Sequence, residues 1–89
     1  MPQWKIKFTF EAEEDLGKLD KQIRKRVIGK ILWLRDNFDQ IIPLPLGSRW
    51  QGFFKLRVGD WRVVYEVEDF KKQITIHQID RRDKIYKRR

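Results

Sequence analysis

Four segments of the chain alternate apolar and polar residues with the period of two that is typical of a half-buried β-strand. The alternating apolar positions are Trp4, Ile6, Phe8 and Phe10; Phe54, Leu56 and Val58; Trp61, Val63, Tyr65 and Val67; and Ile74 and Ile76. In the last segment, His77 and Ile79 are expected on the side opposite Ile76. The pattern predicts four strands, the first of them separated from the other three.

Two runs between the first strand and the others repeat apolar residues at helical spacing. Thr9 is expected to cap the first helix, and the acidic run from Glu11 to Asp15 is expected to form its solvated first turns. Asp20 is expected to cap the second helix, which should end near Asn37. The apolar stripe of the second helix consists of Ile23, Val27, Ile31 and Leu34.

The segment 38–50 contains two prolines and a glycine, which predicts a connecting loop. The resulting order, β-α-α-β-β-β, indicates an α+β fold in which two N-terminal helices pack on one face of an antiparallel sheet. A chain of 89 residues has the length of one small domain, so residues 1–89 are expected to form a single domain.

The register of the predicted hairpin identifies a candidate site. Gly59 and Asp60 form a two-residue turn signal, with glycine first as in a type II′ turn. This turn places Arg57 directly opposite Arg62 and puts Lys55 on the same face. Because two arginines across a ladder repel each other, their pairing indicates that an anion binds this face.

A less specific interpretation remains open for these basic residues. They could extend over a solvated face with Glu66 or Asp83 as partners. The basic run 24–26 is interpreted as the solvated face of the second helix. A single histidine in a strand is more often packed or exposed than catalytic, so His77 is given no role in the site.

Composition narrows the class of partner. The chain has 21 Lys and Arg against 13 Asp and Glu, a net charge of +8, and no cysteine. This charge favours a nucleic acid, an anionic membrane surface or an acidic protein as partner, and the lack of cysteine excludes disulfides and thiolate metal sites. No apolar run could span a membrane and no signal-peptide pattern is present, so a cytoplasmic location is expected.

The candidate site contains residue types that can cleave RNA without a metal, and the sequence contains no metal-ligand cluster or phosphate-binding glycine loop. The 2′-hydroxyl of RNA is an internal nucleophile, so a protein need only orient it, remove its proton and stabilise charge at phosphorus. Tyr86 and Lys55 are candidate general bases, since nearby positive charge favours their deprotonated forms. We expect no cofactor.

The run from Phe53 to Val67, FFKLRVGDWRVVYEV, followed by IDRRDKIY from Ile79 to Tyr86, resembles the RelE/ParE toxin superfamily and most closely its RelE branch. The resemblance covers nearly the whole chain. It implies a toxin of a type II toxin–antitoxin system that enters the ribosomal A site and cleaves mRNA through the 2′-hydroxyl, without metal. It also implies an acidic cognate antitoxin, through which alone operator DNA would be bound.

The resemblance also implies roles for individual residues. Lys55, Arg62 and Arg82 match basic catalytic positions of the family, and Tyr86 matches its C-terminal tyrosine. Phe53 stands where some members have a second lysine. Residues expected to contact RNA in addition are Phe53, Arg57, Arg81 and Lys87.

Two alternatives stay open at this point. A ParE-like relative would share the fold but block DNA gyrase instead of cutting RNA. A non-catalytic or attenuated relative would bind RNA or the ribosome without cleavage, and the loss of the second lysine at Phe53 is compatible with that hypothesis.

Overall fold

The computed structural model describes residues 3–47 and 49–84, and within them both predicted helices are present. Helix α1 spans Phe10–Lys18 and helix α2 spans Lys21–Asn37. The predicted caps are confirmed, because the Thr9 side chain accepts a hydrogen bond from the amide of Ala12 at 3.1 Å and Asp20 accepts one from Ile23 at 3.0 Å. Each cap satisfies an amide that the first turn of a helix leaves unpaired.

The strands form one five-stranded sheet in the order β1-β5-β4-β3-β2. The strands are β1 (Lys5–Phe8), β2 (Leu44–Pro45), β3 (Phe53–Val58), β4 (Trp61–Glu68) and β5 (Gln73–Arg81). The α+β class and the two helices on one face are confirmed. The short strand β2 lies inside the segment that was expected to be only a loop, and it pairs antiparallel with β3.

The expectation of a wholly antiparallel sheet is wrong at one edge. Strand β1 pairs with β5 in parallel, from Lys5 opposite Gln73 to Phe8 opposite Ile76, so the sheet is mixed. The amide of Thr9 extends this contact by donating to the carbonyl of Ile76 at 3.0 Å. The two helices supply the long crossover connection that a parallel pairing requires.

The core lies between the helices and one face of the sheet. Helix α2 contributes its predicted stripe, and the sheet contributes alternate residues of β3, β4 and β5. In the described part of the chain, neither helix has the length and apolar character needed to cross a membrane. The buried core residues from the helices and these strands are Ala12, Val27, Ile31, Leu34, Leu56, Val58, Val63, Tyr65, Ile74, Ile76 and Ile79.

A β-bulge changes the predicted parity of the last strand. Between β4 and β5, Val64 pairs with Gln78 but Tyr65 pairs with Ile76, so His77 is an extra residue in the ladder. The bulge returns Ile79 to the core side, together with Ile76. The prediction that Ile79 lies on the side opposite Ile76 is therefore wrong.

Two residues of α1 also differ from expectation. Phe10 is exposed and begins the helix, so it does not continue the first strand. Asp15 is buried instead of solvated, and its Oδ2 accepts a hydrogen bond from the amide of Ile79 at 2.9 Å. A buried carboxylate requires such partners, and this one joins α1 to the end of β5.

Candidate functional site

The hairpin between β3 and β4 has the predicted register. Arg57 lies opposite Arg62, and Lys55 lies opposite Val64. Gly59 has a φ of 60°, whereas Asp60 is not among the described residues with positive φ, which is the pattern of a type II′ turn. We call the side of the sheet facing away from the helices, with Lys55, Arg57 and Arg62, the basic face.

The guanidinium of Arg62 is held at the hairpin turn. Its Nη1 donates hydrogen bonds to the carbonyls of Gly59 at 3.0 Å and Trp61 at 2.9 Å. Hydrogen bonds from a charged donor are stronger than those between neutral groups, so these carbonyls offset part of the repulsion from Arg57. Arg62 is half-buried and Arg57 is exposed. The register therefore places Arg57 and Arg62 opposite each other, and the backbone of the turn orients the guanidinium of Arg62.

Helix α2 adds positive charge beside the same turn. Arg26 reaches Gly59 so closely that a Cβ there would lie 3.0 Å from its Nη2. Arg26 and Arg57 both line an open cleft of ≈ 460 Å³ between α2 and the hairpin, together with Lys30 and Trp33. The basic run 24–26 is thus not wholly a solvated face, which sequence reasoning missed because the distance from α2 to the turn depends on tertiary packing.

The end of β5 lies beside this turn, through the backbone amide of Arg82 and the pairing of Arg81 with Trp61. The amide of Arg82 donates to the carbonyl of Asp60 at 2.9 Å. Arg81 pairs with Trp61, and its guanidinium carbon lies 5.7 Å from the centroid of the Trp61 ring, on the residue parity that faces the core. Asp80 pairs with Arg62, so a carboxylate stands beside the arginines in the ladder.

Phe53 lies farther along the basic face, next to the pair formed by His77 and Glu66. Its ring centroid is 5.1 Å from that of His77 in an edge-to-face arrangement. His77 Nε2 lies 2.9 Å from Glu66 Oε1. The sequence suggested Glu66 as a partner for the basic residues and gave His77 no role. The strand parities place both residues on one face, but the bulge that brings them together cannot be read from a single sequence.

Of the two tyrosines of the chain, Tyr65 is the one that the structure describes. Tyr65 is buried, and burial raises its pKa to about 12. Desolvation disfavours the phenolate, so the buried Tyr65 side chain is uncharged at neutral pH. Tyr86 and Lys87, which the sequence assigns to the site, lie outside the described residues.

The acidic side chains of the described residues do not cluster as metal ligands would. Within residues 3–47 and 49–84, no three His, Cys, Asp or Glu side chains form a group that could hold a metal ion. The chemistry that the described site can offer rests on cations, on hydrogen-bond donors at the turn, and on the His77–Glu66 pair.

Known proteins resemble this chain over nearly its full length. A family model described as the ParE toxin of type II toxin–antitoxin systems, parDE, matches residues 6–86. Toxin RelG of Mycobacterium tuberculosis is 29% identical over 83 residues, which cover 93% of this chain and 95% of that protein.

Solved structures agree with the fold. A chain in the crystal structure of the toxin–antitoxin complex RelBE2 from Mycobacterium tuberculosis matches with a TM-score of 0.80 and 28% identity, covering 92% of this chain and 94% of that one. The isolated RelE toxin of E. coli matches with a TM-score of 0.72 and 19% identity, covering 94% and 92%. The family match, which spans more than half of the chain, shows that this protein belongs to the RelE/ParE superfamily of toxins from type II toxin–antitoxin systems.

Proposed function

We propose that this toxin is a ribosome-dependent endoribonuclease that cleaves mRNA in the ribosomal A site, without metal, and so inhibits translation in the cytoplasm. The observation that carries the proposal is the grouping of Lys55, Arg57 and Arg62 on the basic face, with Arg82 bonded to the same hairpin turn. A stable sheet gains nothing from two opposed arginines, whereas a phosphodiester gains charge stabilisation from them.

The proposed chemistry is attack of the 2′-hydroxyl on the adjacent phosphorus. Lys55 and Arg62 stabilise the negative charge that grows on the phosphate oxygens. Arg82 acts in the same electrostatic way, because an arginine holds its proton too firmly to be an effective acid. Tyr86 assists proton removal and stacks on a base. Phe53, Arg57, Arg81 and Lys87 are proposed to contact the RNA around the cut.

The proposed resting partner is an acidic cognate antitoxin that covers the basic face. The net charge of +8 favours such a partner. The RelBE2 complex and other similar structures are described as toxin–antitoxin complexes, which supports the pairing. We propose that operator DNA is bound only through the antitoxin, and that free toxin binds mRNA and the ribosome.

Expression of the toxin in growing cells tests the proposal. Primer extension on a translated message should show new 5′ ends within codons after induction of the wild type. The double variant Arg82→Ala and Tyr86→Phe should lose these ends, whereas Lys21→Ala, which removes an exposed charge at the start of α2, should keep them. Full cleavage by the double variant would show that the site is assigned wrongly.

A second candidate function is inhibition of DNA gyrase, which the match to a family model named for the ParE toxin favours. A supercoiling assay with purified protein separates the two. Blocked supercoiling with intact mRNA would support the gyrase function. Unaffected supercoiling with cleaved mRNA would support the ribonuclease.

A further inference from the structure

The His77–Glu66 pair lies on the basic face, the same side of the sheet as Lys55, Arg57 and Arg62. His77 Nε2 is 2.9 Å from Glu66 Oε1, and the two side chains are 29% and 44% exposed. Both side chains are therefore partly exposed to solvent. Neither residue is used by the chemistry proposed above, in which lysine, arginine and tyrosine carry the reaction.

The pair is close to Lys55. Glu66 lies opposite Phe53, and Lys55 lies opposite Val64, so the pair is one step of the ladder away from the lysine. Two residues along a strand span about 7 Å. Lys55 and the His77–Glu66 pair are therefore neighbours on the same face of the sheet.

The hydrogen bond to Glu66 determines which ring nitrogen can accept a proton. A carboxylate only accepts hydrogen bonds, so the neutral ring carries its proton on Nε2. Nδ1 then holds a free lone pair. The ring packs edge-to-face with that of Phe53, and the Thr9 hydroxyl donates to the carbonyl of His77 at 3.3 Å. The imidazole is thus oriented before any substrate arrives, as a general base must be.

Resting on the proposed ribonuclease function, we propose that His77 is the general base of RNA cleavage and that Glu66 is the positioning residue that holds its ring. Histidine takes and releases protons near neutral pH, unlike the other residue types on this face. Among the described residues, the charged groups that the strand pairings place on the same face as His77 include Glu66 from β4, Lys55 from β3 and Lys7, which lies opposite Thr75, from β1.

The proposed step transfers one proton, forms one bond to phosphorus and breaks another. Nδ1 of His77 takes the proton of the 2′-hydroxyl while the 2′-oxygen forms a bond to phosphorus and the bond from phosphorus to the 5′-oxygen breaks. The leaving oxygen keeps the bonding electrons and takes a proton from water, and the hydroxide so formed takes the proton from His77. The products are a 2′,3′-cyclic phosphate and a 5′-hydroxyl, and no oxidant or reductant is needed.

Single-turnover cleavage of mRNA on programmed ribosomes, at saturating ribosome concentration, tests this role. His77→Ala should lower the cleavage rate constant by about 100-fold or more, within the usual range for a general base. Glu66→Gln should lower it by less, because the ring remains but loses its charged partner. Lys21→Ala serves as the control and should cleave like the wild type.

Two readouts separate proton transfer from a structural role. Added imidazole should restore cleavage by His77→Ala but not accelerate the wild type. The fall in rate toward acidic pH, which the wild type should show, should disappear in His77→Gln. Thermal unfolding of each variant checks that it is folded.

The outcomes also distinguish this proposal from the one on which it rests. Cleavage by His77→Ala within threefold of the wild type, with no response to imidazole, would overturn the role of His77 and leave the ribonuclease function intact. No cleavage by the wild type itself would overturn both. An unchanged pH profile in His77→Gln would also reject the assignment, even if alanine at this position prevented folding.

Discussion

The guanidinium of Arg62 is oriented by the backbone of the turn that it follows. Its two hydrogen bonds to carbonyls fix a positive charge that opposes Arg57 across the ladder. In the proposed cleavage, such a charge is in place before the reaction begins, so it needs no rearrangement as negative charge grows on a phosphate. Arg62 is therefore the residue of the basic face for which removal should have the clearest effect.

Arg62→Ala should lower the rate of mRNA cleavage by about 100-fold, the lower end of the effect of removing one preorganised donor. The matched control is Arg35→Ala on α2, which removes the same charge from an ion pair with Asp36. Single-turnover rates on programmed ribosomes provide the measurement. Equal rates for the two variants would exclude Arg62 from the chemistry.

The raised pKa of Tyr65 makes the free energy of unfolding depend on pH in the alkaline range. Its pKa is about 12 in the folded protein, against 10.0 for the unperturbed group. The unfolded chain ionises first, so stability is lost as pH rises from 10 toward 12. Between pH 9 and 11, the free energy of unfolding of the wild type should fall by about 1.3 kcal/mol more than that of Tyr65→Phe. Urea unfolding at both pH values checks this, and equal losses would contradict it.

At the scale of elements, the β3–β4 turn requires glycine because of its backbone conformation. Gly59 has a φ of 60°, where a side chain is strained, and an added Cβ would also lie 3.0 Å from Nη2 of Arg26, the mobile end of a long side chain. Gly29, inside α2, has neither constraint, because nothing lies within 4 Å of the point that a Cβ would occupy there. These two glycines allow a matched comparison.

Gly59→Ala should destabilise the fold by about 1–2 kcal/mol, since it forces a left-handed conformation on an L-residue. Gly29→Ala should stabilise it by about 0.8 kcal/mol, because alanine is the better helix former. Urea unfolding of both variants gives the two values. Equal effects would mean that the turn does not require glycine.

The elements that were predictable from sequence are those specified by neighbouring residues. The caps at Thr9 and Asp20 and the register of Arg57 opposite Arg62 depend on local spacing, and all three are confirmed. The parallel pairing of β1 with β5 joins residues almost 70 positions apart, as does the pairing of Thr9 with His77. No local pattern specifies which strand an isolated strand will join.

In the candidate site too, local features were predictable from sequence and contacts between distant residues were not. The residues brought together by one hairpin were predictable, because a two-residue turn determines every pair that follows it. The His77–Glu66 contact was not, since it depends on a bulge in β5. The burial of Asp15 was not predictable either, because its partner is an amide on β5, 64 residues away.

At the scale of the whole molecule, part of the net charge of +8 lies around the β3–β4 hairpin. Lys55, Arg57 and Arg62 lie on its strands, the backbone of Arg82 bonds to its turn, and Arg26 approaches it from α2. Binding to RNA should therefore release several counterions and depend steeply on salt.

If four phosphates are neutralised, the affinity for single-stranded RNA should fall by roughly 50-fold between 50 and 200 mM salt. Arg57→Ala should reduce the slope of log affinity against log salt by about 0.7, whereas Arg35→Ala should leave it unchanged. Fluorescence anisotropy with a labelled oligonucleotide measures both slopes. Affinity that is independent of salt would contradict binding through the basic face.

Cleavage of a defined mRNA by purified toxin, with and without ribosomes that hold a known codon in the A site, tests the central claim most directly. The ribonuclease account predicts a cut within that codon, only on the ribosome-bound message, with a 2′,3′-cyclic phosphate at the new 3′ end. An intact message on the ribosome, together with inhibition of gyrase supercoiling by the same protein, would contradict it.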